Sequence, residues 1–535
     1  MAAESQCHQH SQPRSIAIIG AGVAGLQALR ALQCLPNVEK IVVFERAHEI
    51  GGVWRENYSG YGAQVKRDQY SFVELGDLSC LDTYPTGPQL KAHCDTYARS
   101  FGLIPSIRTD TEVKHLQRFP NGWRVVFEDR AASKIQEDDF DFVILAVGNF
   151  SDKFVPKIIG ASNFYGRILH SSELVEKTSL EGRRVIIVGS GKSALDCFSL
   201  ACAEAEAVTL LARSPAWILP QRFLGLPLEW LASTRWFAKI VFPPYHDSCL
   251  LVKGLGYLLR PLQTLLWCVL APLVWCHFFL PWAMWPVYSL RWQLWHGHSV
   301  SICDASKLKA AFRSPNAECI RGQICSMSGD TVCVEDQFGK QQKEIQADVI
   351  IFATGYQEAW SKLFDAKTLA ALDRGDGPDL YKLILPTGDV PNLAFLGRIL
   401  STCDIVTSFV QAQWLAAMLA GQFARPSAEE RERFSRRYRA WRGTFSPKIA
   451  STFLATPCIH SYFDELIRDL QQPPATDLGC RSCLKRLMDP LLPLRARHFR
   501  RLSRNRDMVA SCSAPRQQFV ALRGEGPTDA LLADV

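Results

Sequence analysis

Ile16-Ala17-Ile18-Ile19-Gly20-Ala21-Gly22-Val23-Ala24-Gly25 reads as a buried strand, a tight turn and the first turn of a helix. The apolar run suits a parallel strand covered on both faces. The glycines follow the spacing G-x-G-x-x-G. Gly20 permits the turn, Gly22 leaves room for a pyrophosphate beside the backbone, and Gly25 lets helix and strand pack closely. The helix start adds unpaired N–H groups and a positive dipole end facing the phosphates. A second apolar strand, Lys40 to Phe44, ends in Glu45-Arg46. A carboxylate about 20 residues past the glycines is placed to grip an unphosphorylated ribose.

Further along, Ile50-Gly51-Gly52-Val53-Trp54 reads as a loop pressed against a flat ligand, and Gln89 to Leu103 has helical spacing. Val113 to Leu116, the turn Pro120-Asn121-Gly122 and Trp123 to Phe127 make a hairpin. Asp141 to Gly148 is another buried strand, ending in glycine. Arg46, Gly52, Val53, Trp54, Val113 and Gly148 join Gly20 to Gly25 and Glu45 as expected cofactor contacts.

The pattern then repeats. Arg184 to Val188 is a strand, and Gly189-Ser190-Gly191-Lys192-Ser193-Ala194 is G-x-G-x-x-A at the start of a helix. The next strand, Val208 to Ala212, ends in Arg213. A cation where the first unit has Glu45 suits a 2′-phosphate and favours NADPH over NADH. The economical reading is FAD on the first unit and NADPH on the second. Ala347 to Tyr356, with Ala353-Thr354-Gly355, mirrors Ala146-Val147-Gly148 and marks the return crossing. The expected fold is therefore α/β: two Rossmann-like dinucleotide-binding domains, the NADPH domain inserted in the FAD domain. The expected boundaries are 14–152 and 356–470 for the FAD domain and 153–355 for the NADPH domain, with a polar segment 1–13 and a basic, partly disordered tail 471–535.

These stretches resemble the flavin-containing monooxygenase family. Phe164-Tyr165-Gly166-Arg167-Ile168-Leu169-His170 is similar to its F-x-G-x-x-x-H pattern, and the Gly51 to Trp54 loop, Phe352 to Tyr356 and Gln411 to Trp414 follow in the family's order. The likeness runs from about Arg14 to Leu470. Trp217 to Pro220, Gly225 to Pro227 and Ser451 to Phe453 look nearest the plant group with the pipecolate N-hydroxylating enzyme. The resemblance implies reduction of FAD by NADPH, capture of dioxygen as a C4a-hydroperoxide, and oxygen transfer to an amine or sulfur nucleophile of a small molecule. It places a carboxamide, here Gln64, near the flavin peroxide as the catalytic group, and makes His170 a fixed point of the domain linker. Thr407-Ser408 is expected to cap a helix reaching Leu419, its N-terminus toward the flavin. Baeyer–Villiger enzymes of the family want Trp where this chain has Leu174, which disfavours that reaction. Uncoupled NADPH oxidation and a non-catalytic flavoprotein are the alternatives. A disulfide reductase needs a cysteine pair soon after the first unit, and positions 46 to 79 have none.

The chain has 535 residues, 47% hydrophobic and 21% charged, with a net charge of +7. That is ordinary globular composition for two or three domains, and the charge is too modest to imply nucleic acid. Basic runs at Arg431 to Arg439 and Arg495 to Arg506 read as a solvated helix face and a tail. Eighteen scattered cysteines suit reduced thiols in a cytoplasmic protein. Cys480-Arg481-Ser482-Cys483 lacks a second ligand pair, so no metal site is expected. Met1 to Arg14 has no apolar core and predicts no signal peptide. Leu262 to Leu290 is long enough to span a bilayer. Pro272, Pro281 and Pro286 are expected to break it, and both its flanks belong to one domain. It reads as a monotopic membrane patch within 245–300 or as a wall over the active site.

Overall fold

The computed structural model describes residues 12–470 with interruptions, the larger ones within 229–257 and at 291–299, 337–341 and 444–457, together with Arg495, Phe499, Arg500 and Leu502. The first unit runs β1 (Ser15–Ile19), α1 (Val23–Leu32), β2 (Lys40–Phe44), α2 (Gly87–Ser100), β3 (Ile107–Arg108), β4 (Thr111–Phe119), β5 (Gly122–Asp129), β6 (Lys134–Phe140) and β7 (Phe142–Leu145). The short ribbon strand β8 (Asp152–Lys153) leads out of it. The second unit runs β9 (Arg167–His170), β10 (Arg184–Val188), α3 (Lys192–Glu204), β11 (Ala207–Leu211), β12 (Ile218–Pro220), α4 (Arg260–Phe278), β13 (Ser301–Cys303), β14 (Ala317–Ile320), β15 (Gly322–Ser328), β16 (Thr331–Asp336), β17 (Gln342–Gln346) and β18 (Val349–Phe352). The chain returns through β19 (Tyr356–Gln357) to β20 (Leu393–Phe395), α5 (Asp404–Leu419), α6 (Ala428–Gly443) and α7 (Ile459–Asp469).

Two parallel five-stranded sheets form the frame. The first has the order β20-β7-β1-β2-β3 and the second β14-β11-β10-β18-β9. Residues of the second sheet fall between β7 and β20 of the first, so one nucleotide domain is inserted in the other. The central strands read as unbroken apolar runs because both faces are covered. Ile16, Ala17 and Ile18 are fully buried, as are Ile187 and Ile351. Register follows: Ile16 lies opposite Ile41 and Phe142, and Val185 opposite Val208 and Val349. Each unit carries a three-stranded antiparallel sheet ahead of its last parallel strand, β4-β5-β6 in one and β15-β16-β17 in the other. The expected hairpin is β4 and β5. The third strand, Lys134–Phe140, is charged and mostly exposed, so it lacks the alternation that marks a strand.

The two crossings meet. β8 pairs antiparallel with β19, and Phe154 N–H donates to the Gly355 carbonyl at 3.0 Å. The polypeptide thus leaves and re-enters the first unit through a two-stranded ribbon.

Two expectations on local structure need correction. Thr407 does not cap its helix. α5 starts at Asp404 after Cys403, and the Thr407 hydroxyl, inside the first turn, donates back to the Cys403 carbonyl at 3.0 Å. Threonine makes this bond to the preceding turn as readily as it caps, and the sequence pattern does not separate the two. Pro272 does not break the apolar segment either, because α4 runs through it. Proline removes one bond to the carbonyl four residues back, and here both Pro272 and Cys268 are exposed, where water can serve that carbonyl. Arg431 to Arg439 lies on α6, with Arg433 paired to Glu429 at 2.7 Å and Arg439 to Asp379 at 3.8 Å. Cys480 to Cys483, Ser451 to Phe453 and Leu487 to Leu494 lie outside the described residues.

Candidate dinucleotide sites

Within each glycine motif the three positions do different work. Gly20 has φ +105°, and a Cβ there would sit 2.6 Å from the Ala146 carbonyl oxygen. A Cβ on Gly25 would sit 1.9 Å from the Gly20 oxygen. Internal packing therefore demands both glycines. Gly22 is different: its Cβ would meet nothing closer than Gly52 Cα, at 3.6 Å. The second unit repeats this. Gly189 has φ +140° and is hemmed in by the Ala353 carbonyl at 2.5 Å, whereas a Cβ on Gly191 would have nothing within 4 Å. No described residue requires the middle glycines, and the room they leave at a helix N-terminus fits a pyrophosphate. Ala194, fully buried, fills the third position of the second motif.

A cavity of about 560 Å³ runs from the first loop to the start of α5. Gly20, Gly22, Val23, Ala24, Glu45, Arg46, Gly52, Val53, Trp54, Val113 and Gly148 line it. Ala21 and Gly25 stand behind it as support. The Ala21 N–H donates to Glu45 Oε2 at 2.8 Å, and the Ala47 N–H to Oε1 at 3.0 Å. These bonds aim the carboxylate from the end of β2 toward the loop. Gly51 and Gly52 lie over the same loop, with Gly51 N–H on the Ala21 carbonyl at 3.0 Å. Trp54 then stacks near Tyr61 at 6.1 Å and meets Tyr70 edge-on at 5.5 Å. Most charges in the wall are paired: Asp152 takes both Arg46 at 3.1 Å and Lys362 at 2.5 Å.

Tyr70, Asn57, Ser408 and Asp404 also line this cavity, and Tyr70, Asn57 and Asp404 were not read from the sequence. Asp404 is the first residue of α5. Its carboxylate accepts the Ser401 N–H at 2.9 Å and has no cation partner among the described residues. The helix dipole favours its charge and burial opposes it. Burial wins, and the carboxyl is pushed up to about 7. No local pattern marks Asp404, because its setting is made by segments more than 300 residues away in sequence.

In the second unit Arg213 is exposed just past β11 and makes no ion pair among the described residues. Ser190 Oγ donates to the Ser214 carbonyl at 3.2 Å, bracing the turn. Lys192 opens α3 and is ion-paired to Asp196 one turn on. Ser193 follows it in the first turn. His170 is 1% exposed. Its Nε2–H donates to the Gly355 carbonyl at 3.0 Å, which leaves Nδ1 to accept from Ser172 at 2.9 Å. Burial lowers its pKa, so the ring is neutral and fastens β9 to the return crossing. Thr354 bonds the Phe154 carbonyl in the same ribbon, beside Ala353 and Gly355. Thr407, in the first turn of α5, is fully buried and outside the cavity lining.

Gln64 is also outside that lining. Its carboxamide oxygen accepts the Ile302 N–H at 2.8 Å, joining a loop of the first unit to β13 of the second. The geometry gives this side chain an interdomain contact.

A family model for flavin-binding monooxygenase-like proteins matches residues 13–244. A Baeyer-Villiger monooxygenase of Streptomyces coelicolor is 32% identical over 222 residues, a match spanning only 41% of either chain. Flavin-containing monooxygenase 5 of Rattus norvegicus is 28% identical over 463 residues, covering 79% of this chain and 78% of the relative. The solved S-allyl-L-cysteine S-oxygenase of Allium sativum superposes with a TM-score of 0.58 at 17% identity, over 93% of this chain and 94% of that one, a likeness of fold.

Proposed function

The chain belongs to the flavin-containing monooxygenase family, and on that footing we propose that it uses FAD and NADPH to oxygenate an amine nitrogen or a sulfur of a small molecule. The observation that carries this reading is the pair of glycine turns, each with an unfilled middle position, one followed by Glu45 and the other by Arg213. The first suits the unphosphorylated ribose of FAD and the second the 2′-phosphate of NADPH. When bound, NADPH supplies a hydride to FAD, and the reduced flavin supplies the activated oxygen.

The residues around the cavity have simpler tasks. Glu45 and the α1 N-terminus hold the adenosine and pyrophosphate. Trp54, backed by Tyr61, and Tyr70 wall the far end and keep water out, which a reactive oxygen species requires. His170 is a positioning residue that holds the crossing in register. Gln64 tied to Ile302 also positions, and its place outside the cavity favours a second reading, an NADPH oxidase that releases hydrogen peroxide. Leu174, buried where Baeyer–Villiger enzymes of the family carry Trp, weighs against lactone formation.

The substrate is a soft nucleophile in the cytoplasm, reached from a protein resting on a membrane. α4 supports that location. It is 19 residues long with mean hydropathy 1.4, carries no acidic residue, and presents Leu262, Leu265, Val269 and Leu273 to the exterior. Trp282, 77% exposed, extends the patch. Phe278, Leu280 and Met284 are rooted in the NADPH-domain core, so α4 lies in the interface plane and does not cross it.

Anaerobic mixing tests the cofactor assignment. NADPH bleaches the bound flavin much faster than NADH does, and Arg213→Ala removes most of that preference. Equal bleaching by both cofactors in the unmodified protein contradicts it.

A further inference from the structure

We propose that Lys192 is a ligand of the NADPH pyrophosphate held in reserve by Asp196, and that Tyr58, reaching in from the FAD domain, sets how readily Asp196 gives it up. The inference rests on the NADPH assignment above and adds two residues, Asp196 and Tyr58, to it. Lys192 is the first residue of α3, next to Gly191, where a ligand has open space. Its ammonium is bound to Asp196 Oδ2, four residues along the helix. The same oxygen accepts the Tyr58 hydroxyl at 2.8 Å. Tyr58 is 5% exposed and belongs to the loop that follows Trp54, so this bond crosses between the domains. Burial, and after it the nearby Asp196 carboxylate, hold the Tyr58 hydroxyl protonated, so it donates across the whole working pH range.

One carboxylate oxygen thus has two donors from two domains. A pyrophosphate arriving at α3 competes with Asp196 for Lys192. When the ammonium swings to the phosphates, Asp196 is left in a pocket where it is only 21% exposed. The Tyr58 hydroxyl, already in place, then becomes its remaining donor. A hydrogen bond to a charged acceptor is worth more than a neutral one, so Tyr58 lowers the cost of release. NADPH affinity is therefore tied to the registry of the two domains, since a shift of the Tyr58 loop strands Asp196 and draws Lys192 back.

The test is NADP⁺ binding measured calorimetrically on FAD-loaded protein, a readout independent of turnover. Asp196→Asn removes the competitor and tightens NADP⁺ by roughly 2–5-fold, as expected for a partly exposed ion pair. Tyr58→Phe weakens NADP⁺ by roughly 3-fold or more, with the FAD content unchanged. In the Asp196→Asn background, Tyr58→Phe has no effect, and in a Lys192→Met background Asp196→Asn has none. Additive effects, or weaker NADP⁺ binding by Asp196→Asn, overturn the proposal while leaving the NADPH site intact. Failure of the unmodified protein to prefer NADP⁺ over NAD⁺ instead removes the cofactor assignment on which it stands.

Discussion

Asp404 places a carboxyl with a pKa of about 7 on the cavity proposed to take an anionic cofactor. Its ordinary value is 3.8, so the folded protein holds this proton more tightly than the unfolded chain. Stability therefore falls as pH rises from about 4 to 7, and the full penalty persists above 7. Asp404→Asn should raise the thermal midpoint of the flavin-free protein at pH 8 by a few degrees and leave it unchanged at pH 4. An equal change at both pH values would mean that packing, not charge, is altered. Asp404 also shows which residues the sequence reveals. Gly20 and Gly25 are legible because one takes a left-handed backbone and the other meets its carbonyl oxygen within a single short turn. Glu45 and Arg213 are legible because a strand end follows the glycines at a fixed distance. Asp404, Tyr58 and Asp196 acquire meaning only through residues far along the chain. Gln64 shows the reverse difficulty: its residue type matches an expected task, while its hydrogen bond to Ile302 gives it a different one.

At the scale of elements, α4 is the part whose length and composition are plain in the sequence and whose continuity is not. Three prolines argue for breaks, yet Pro272 lies on the exposed side, where one lost backbone bond costs little. The buried face, Gln263, Trp267, Val274 and Phe278, keeps helical spacing across it and holds the rod together. The opposite face is apolar and exposed, with Leu265 at 61% and Leu262 at 55%. A patch of this kind on a folded domain needs a partner. With vesicles of phosphatidylcholine and phosphatidylserine, the protein should float. Replacing Leu262, Leu265 and Val269 together by Ser should leave it in the dense fraction while NADPH still bleaches the flavin at the normal rate. A triple variant that floats as well as the parent would remove α4 from the contact.

For the molecule as a whole, the domain insertion was legible because two strand-turn-helix units and two strands ending in glycine occur in nested order. The sequence is silent on how the two crossings meet. The β8–β19 ribbon is built from four residues with no strand pattern, and His170 stabilises it from a third segment. Tyr58 to Asp196, Gln64 to Ile302, and Tyr84 to the Gln221 carbonyl at 3.1 Å add side-chain ties between the FAD-domain loops and the second domain. Such ties would hold the two proposed nucleotide sites at a fixed approach, as direct hydride transfer demands. They leave one question of chemistry, because the same frame can deliver activated oxygen to a substrate or lose it as peroxide. The most direct measurement supplies the FAD-loaded protein with NADPH, ¹⁸O₂ and either N,N-dimethylaniline or thioanisole, and follows both product and peroxide. The account predicts an N-oxide or sulfoxide carrying one ¹⁸O atom. NADPH consumed with an equal amount of hydrogen peroxide, and no labelled product from either probe, would contradict it.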